Sequence, residues 1–266
     1  MSTLLTRLIV AVPGLVLVLG AAYLGGWFLV ALASAAAVVA LHELYRLARE
    51  LRPLVLAGYG GAVAALIGAA LGGYRWMVAG FLLSFVLAFL FAAVAETRQS
   101  TTVALATTVL GAGWVGLGLG HLFLIRDIPD EGRLAAITVL LTVFVADTFA
   151  FFGGRLAGRH KMTPVMSPAK TWEGFVAGTV AGVLTTWIAL YDEDIVTGGW
   201  RAFALGGLIV AAATIGDLFE SIVKRDLGAK DTSRVLLGHG GVLDRIDSLL
   251  FAAPVAYFAL LALGDF

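Results

Sequence analysis

Between Gly238 and Asp247 the chain reads GHGGVLDRID, a stretch in which glycines frame a histidine and two acids stand three apart. Gly238, Gly240 and Gly241 remove Cβ atoms around His239, so the backbone can approach a ligand closely and offer its N–H groups to an anion. Asp244 and Asp247, with Arg245 between them in sequence, would share one face at the start of a helix. Two carboxylates that close repel unless a cation lies between them or one keeps its proton. A divalent metal is the simplest answer. The chain has no cysteine, so metal ligands must be oxygen or histidine, which points to magnesium or manganese rather than zinc. A magnesium site typically takes one or two carboxylates together with substrate phosphates.

Upstream, Asp217, Ser221 and Lys224 recur at i, i+4 and i+7 and so line one helical face leading into water. Arg225, Lys230, Asp231 and Arg234 follow in KRDLGAKDTSR. As a set these cations can hold phosphates, Arg by forking onto two oxygens and Lys as a point charge. Taken alone, the run reads as an ordinary positive-inside flank of a membrane span. A second segment, GRHKMTPVMSPAKTWEG, supplies Ser167, Lys170, Thr171 and Glu173, and its SPAK before a helix resembles an N-terminal cap at which phosphate binds. Asp147, in VFVADTFAFFGG, is like Asp217 an acid inside an apolar run. Holding an ionisable group at membrane depth costs a few kcal/mol, so a functional role is the default for both, against the alternatives of bonding a neighbouring helix or snorkelling.

These residues must be positioned by membrane helices. Of 266 residues 60% are hydrophobic and 14% charged, and the mean hydropathy is +0.97, too little polar surface for a soluble globule of this size. The net charge of zero gives no electrostatic case for a nucleic-acid partner. Apolar runs predict about nine transmembrane helices, near 8–24, 27–46, 54–72, 76–95, 102–125, 134–154, 174–190, 201–220 and 248–264. They are too long for barrel strands, so the class is all-α, a polytopic integral membrane protein. The first run is read as a retained span rather than a cleaved signal peptide, since another apolar stretch starts within a few residues of it. The 33 glycines suit close helix packing. With the amino terminus in the cytoplasm, only Arg75, Arg126, Arg133 and Arg201 of the 18 Lys and Arg fall outside, and the carboxyl terminus lies outside. Both longer connections, 155–173 and 221–247, then face the cytoplasm. The expected organisation is one membrane domain, 1–266, with motif-free helices over 1–133 and the motif-bearing helices and loops over 134–266.

The segment SIVKRDLGAKDTSRVLLGHGGVLDRIDS, Ser221 to Ser248, resembles the signature of the phosphatidate cytidylyltransferases, the CDP-diacylglycerol synthases: a serine, Lys-Arg, Lys-Asp, His-Gly-Gly and Asp-Arg-x-Asp at fixed spacing. ADTFAFFGGR and MSPAKTWEGF resemble two further blocks of that family in the same order. The resemblance is close over 143–254 and rests on hydropathy alone over the first 130 residues. Leu237 stands where the family usually has proline or glycine.

The resemblance implies transfer of CMP from CTP to phosphatidate, giving CDP-diacylglycerol and pyrophosphate, with a divalent metal, Mg2+ or Mn2+. It also implies a multi-pass protein of the cell (inner) membrane, a polar cavity open to cytosol and lipid, and a homodimer. Phosphatidate presents an ionised phosphate whose oxygen attacks the α-phosphorus of CTP without a strong base, so the difficulty is converging charge, met by metal and cationic clamps. On this reading Asp217 and Asp244 bind metal with Asp247 supporting, and Asp231 is a ligand or orienter. Lys224, Arg225, Lys230 and Arg245 hold phosphates or the departing pyrophosphate. His239 either bonds a phosphate, or donates a proton late, or only pins the turn. Ser167 and Lys170 contact phosphate, Ser221, Gly240 and Gly241 line the substrate site, and Asp147 and Glu173 orient neighbours or a second cation. The rival readings are the same chemistry on an ether-linked lipid and an ion-coupled transporter, the latter weakened by the lack of repeated halves. CDP-alcohol phosphotransferases are set aside because the chain has no Asp-Gly dipeptide.

Overall fold

The computed structural model describes residues 3–94, 101–191, 193–196, 199–233 and 240–264, with backbone alone for 3–12 and Asp194. Its helices are α1 (Thr3–Leu24), α2 (Gly26–Leu47), α3 (Val55–Val94), α4 (Thr101–Gly111), α5 (Gly118–Arg126), α6 (Gly132–Ala157), α7 (Trp172–Leu190), α8 (Gly199–Asp226) and α9 (Leu243–Leu263). A π-helical turn, Ala112–Leu117, joins α4 to α5, and a two-stranded hairpin, β1 (Lys161–Thr163) and β2 (Ser167–Thr171), precedes α7. Among the described residues seven helices are long and apolar enough to cross a membrane, counting α3 once and α4 to α5 as one. The architecture is that of an all-α membrane protein with one small hairpin.

Two compact units divide the chain. Residues 1–124 and 226–246 form the first, and 125–225 with 247–266 form the second. The segment before α9 groups with the amino-terminal helices.

In the first unit α3 is a helical hairpin. Gly73 has φ 68° and ψ −156°, a backbone conformation that costs glycine little and an L residue much. The two halves then run antiparallel at close range: Gly61 meets Ser84, Gly80 meets the backbone of Ala64, and Gly68 meets Trp76. The π turn has an equally local cause. The Tyr45 hydroxyl donates to the Thr108 carbonyl at 2.7 Å and accepts from the Ala112 N–H, so it is inserted into the helical ladder. The Thr108 hydroxyl also receives the Leu54 N–H at 2.7 Å. These bonds lock the carboxyl-terminal end of α2.

In the second unit Gly174, Gly178 and Gly182 recur every fourth residue along α7 and lie against the backbone or small side chains of α6, the small-residue packing by which membrane helices approach closely. Thr142 and Thr186 share a hydrogen bond of 2.8 Å across that interface. The hairpin β1–β2 is antiparallel, pairing Lys161 with Thr171 and Thr163 with Ser167, and Pro164 sits in its turn. Pro168 is tolerated because every strand of a two-stranded sheet is an edge. SPAK is therefore strand and not a helix cap. The cap is Thr171, whose hydroxyl accepts from the Gly174 N–H at 3.2 Å. Helices α8 and α9 pack through Phe219 and Phe251, 5.3 Å between ring centroids, and Arg201 donates to the Leu263 carbonyl at the end of α9.

Candidate functional site

Each unit holds a polar cluster. That of the second unit is built on α8, where Asp217, Glu220 and Lys224 follow one another at helical spacing. Gly216 lets the backbone of α9 approach at Asp247, since a Cβ there would lie 2.6 Å from the Asp247 carbonyl oxygen. The crossing gathers three carboxylates. Single oxygens of Asp217, Glu220 and Asp247 lie within 4.8 Å of one another. Asp247 and Glu220 are buried and Asp217 is half-buried. Asp147, on the exposed side of α6, also acts electrostatically on Asp247.

Two lysines enter this cluster. Lys170 of β2 reaches Asp217 at 2.7 Å, and Lys224 pairs with Glu220 one turn away on α8. Among the described residues, four carboxylates against two ammonium groups leave a formal excess of two negative charges, which one divalent cation would balance. The donor set, hard carboxylate oxygens alone, matches magnesium or manganese. Ser221 is half-buried on the same helix, and Arg225 is exposed in its last turn.

The first unit holds the segment that follows α8. Asp244, in the first turn of α9, accepts from the Thr232 hydroxyl at 2.9 Å, the Thr232 N–H at 3.0 Å and the Gly241 N–H at 2.7 Å, all on Oδ2. Glu43 of α2 sits at the start of the same helix. Its Oε1 accepts from the Val242 N–H at 3.0 Å and the Ser233 hydroxyl at 2.6 Å, and its Oε2 from the Leu243 N–H at 2.9 Å. A carboxylate so placed satisfies amide groups that a helix start leaves open and lies at the favourable end of the helix dipole. The glycines make room for it. Gly240 has φ 77°, and a Cβ on Gly240 would collide with Asp244, as one on Gly241 would with Thr232 and Glu43. Here the Gly241 N–H donates to the protein's own Asp244 carboxylate. Lys230, Asp231 and Arg245 are exposed around this segment. His239, with Arg234 and Gly238, lies outside the described residues.

A third group lies on the hairpin side of the second unit. Glu173, in the first turn of α7, accepts from the His160 N–H at 3.2 Å and contacts His160 Nδ1 at 2.6 Å. Leu156, Arg159, His160 and Glu173 line an open groove there. Ser167 is half-buried at the start of β2, paired with Thr163.

The structure therefore brings Lys170, Asp217, Lys224 and Asp247 together and adds Glu220, while Asp244, Gly240 and Gly241 gather with Glu43, Thr232 and Ser233. Four of these residues escaped the sequence reading. Glu220 had a signal, since it stands three after Asp217 in an apolar helix, but Ser221 beside it fitted the four-residue spacing. Glu43 in ALHELYRL was another acid at the end of an apolar run, obscured by the basic flank of Arg46 and Arg49.

A family model described as Cytidylyltransferase family matches residues 5–263. Similar curated proteins are the phosphatidate cytidylyltransferases of Staphylococcus saprophyticus, 36% identical over 153 residues, and of Brucella melitensis, 40% identical over 154. These alignments cover 58% of this chain and 58% of the first relative, and 55% of this chain and 57% of the second. The chain thus spans less than two thirds of the length of either. The phosphatidate cytidylyltransferase of Mycobacterium bovis is 34% identical over 258 residues, 87% of this chain and 79% of that protein.

Proposed function

The chain belongs to the cytidylyltransferase family, and from that membership we propose that it transfers CMP from CTP to phosphatidate, giving CDP-diacylglycerol and pyrophosphate. The observation that carries this reading is the family match over residues 5–263. The carboxylate cluster of Asp217, Glu220 and Asp247 supports it, because such a cluster could hold a divalent cation, and convergence of two phosphate-bearing substrates calls for concentrated positive charge.

Asp217, Glu220 and Asp247 would hold the divalent cation, Mg2+ or Mn2+, and Asp147 adds negative charge to the cluster for it or for a second cation. Bound there, the metal supplies charge neutralisation at the phosphates. Asp244 is the further cation ligand that the family resemblance implies. Lys170 and Lys224, which pair with these acids, would also hold phosphate oxygens. Arg225, Lys230 and Arg245 are exposed cations suited to the triphosphate and to departing pyrophosphate. Ser167, Ser221 and Glu173 line or orient the substrate side, Asp231 orients neighbours, and His239 contacts phosphate or pins its turn. The attacking oxygen of phosphatidate is already ionised, so no residue need remove a proton.

We further infer nine membrane crossings, counting each half of α3, with the amino terminus in the cytoplasm, the carboxyl terminus outside and the site on the cytoplasmic face of the cell (inner) membrane. The bias of Lys and Arg supports this. A homodimer is the assembly that the family resemblance implies. Incubating the purified protein with phosphatidate, labelled CTP and magnesium tests the function. Labelled lipid and pyrophosphate in equal amounts are expected; absence of both from folded protein overturns the reading.

A further inference from the structure

We propose that Glu43 is a positioning residue for this transfer: from α2 it fastens Thr232 and Ser233 to the start of α9, and so sets the segment bearing Lys230, Asp231, Asp244 and Arg245. The proposal rests on the CMP-transfer reading above and adds to it a residue far from every motif, 189 to 200 positions from its partners in sequence.

Three observations carry it. First, Glu43 is 2% exposed, and both its oxygens are engaged by donors from one short segment: the N–H groups of Val242 and Leu243 and the hydroxyls of Ser233 and Thr232. Burial of a carboxylate is tolerable only with such hydrogen bonding, so the acid and the segment hold each other. Second, Thr232 links this carboxylate to a motif acid. Its hydroxyl lies 3.3 Å from Glu43 and 2.9 Å from Asp244, and its N–H donates to Asp244. A shift of Glu43 is passed to Asp244 through that one residue. Third, the support behind Glu43 is rigid. Tyr45, two residues on, is buried and inserted into the ladder between Thr108 and Ala112, which fixes the end of α2 from which Glu43 projects.

A carboxylate, rather than any polar group of that size, is required. Val242 and Leu243 each present an N–H to a different oxygen, so an amide in place of Glu43 would set its NH2 against one of those donors. Glu43→Gln keeps the shape and reverses one hydrogen bond. Glu43→Asp keeps both acceptors on a shorter stem.

The test uses the full chain purified in detergent with magnesium. In Glu43→Gln, amide hydrogen exchange without substrates is expected to accelerate at Thr232, Val242 and Leu243 while α6 and α7 keep wild-type protection. The kcat should fall about 10- to 100-fold, the range for losing an outer partner of a site, with KM for phosphatidate little changed. Glu43→Asp should recover part of both. Unchanged exchange at Val242 and Leu243, wild-type kcat despite loosened amides, or exchange raised equally throughout the chain would each overturn the proposal. If Glu43→Gln does not fold, Ser233→Ala, which removes a single donor, should show the same local loosening to a smaller extent, and its absence counts against the proposal. Should the wild-type protein make no lipid product, the transfer reading fails, while the exchange measurements still decide whether Glu43 holds this segment.

Discussion

Gly216 and Asp247 touch backbone to backbone: a Cβ on Gly216 would stand 2.6 Å from the Asp247 carbonyl oxygen. That close crossing of α8 and α9 is what gathers the carboxylates of Asp217, Glu220 and Asp247. A side chain at position 216 must push α9 away. Gly216→Leu is expected to cost about 1–3 kcal/mol in overpacking and to weaken magnesium binding more than its loss of stability explains. The check is the magnesium-induced rise in melting temperature, which should shrink.

Asp217→Asn and Asp244→Asn separate two roles. Both should lower turnover by at least about a hundredfold, the scale of losing a main electrostatic element. Raising magnesium should recover part of the Asp217→Asn loss, because that acid belongs to the carboxylate cluster. For Asp244→Asn, whose Oδ2 takes three donors, magnesium should recover little. Equal recovery in a magnesium titration would argue that Asp244 is a ligand of the same standing.

Lys224 faces a buried acid. Removing it in Lys224→Ala leaves Glu220 without its ammonium partner and should destabilise the protein by about 3–5 kcal/mol. The double substitution Lys224→Met with Glu220→Gln should restore the melting temperature without restoring CMP transfer. Arg49→Ala, an exposed flank charge, is the control and should leave both near wild type. Recovery of activity in the double mutant would mean that the pair is structural.

The topology is open to direct labelling because the chain has no cysteine of its own. Lys161→Cys and Lys230→Cys should react with a membrane-impermeant maleimide only in inside-out vesicles. Glu193→Cys should react only in right-side-out ones. Any reversal of this pattern overturns the proposed orientation.

Membrane residence and helical class were legible from composition and run length, because hydrocarbon forces backbone groups to pair within a segment. The carboxylates at 147 and 217 stood out as ionisable residues in apolar helices, and Asp247 by its three-residue spacing from Asp244. Other features were not. Asp244 and Asp247 look like a pair by spacing, yet the first is held by Thr232 and Gly241 while the second lies with Asp217 and Glu220. The hairpin β1–β2 was hidden by a proline in each of its turn and second strand, which read as loop.

The sequence by itself determined the solvent, the helices and which residue types gather near residues 217–247, because hydropathy and helical periodicity are local properties of the chain. Only the tertiary structure decided which carboxylate meets which partner. Glu43 reaches Val242 and Leu243 because α2 delivers it there, and Asp247 reaches Glu220 because Gly216 has no side chain to keep α9 away. Those contacts join residues distant in sequence, and no local pattern encodes a distance that packing sets.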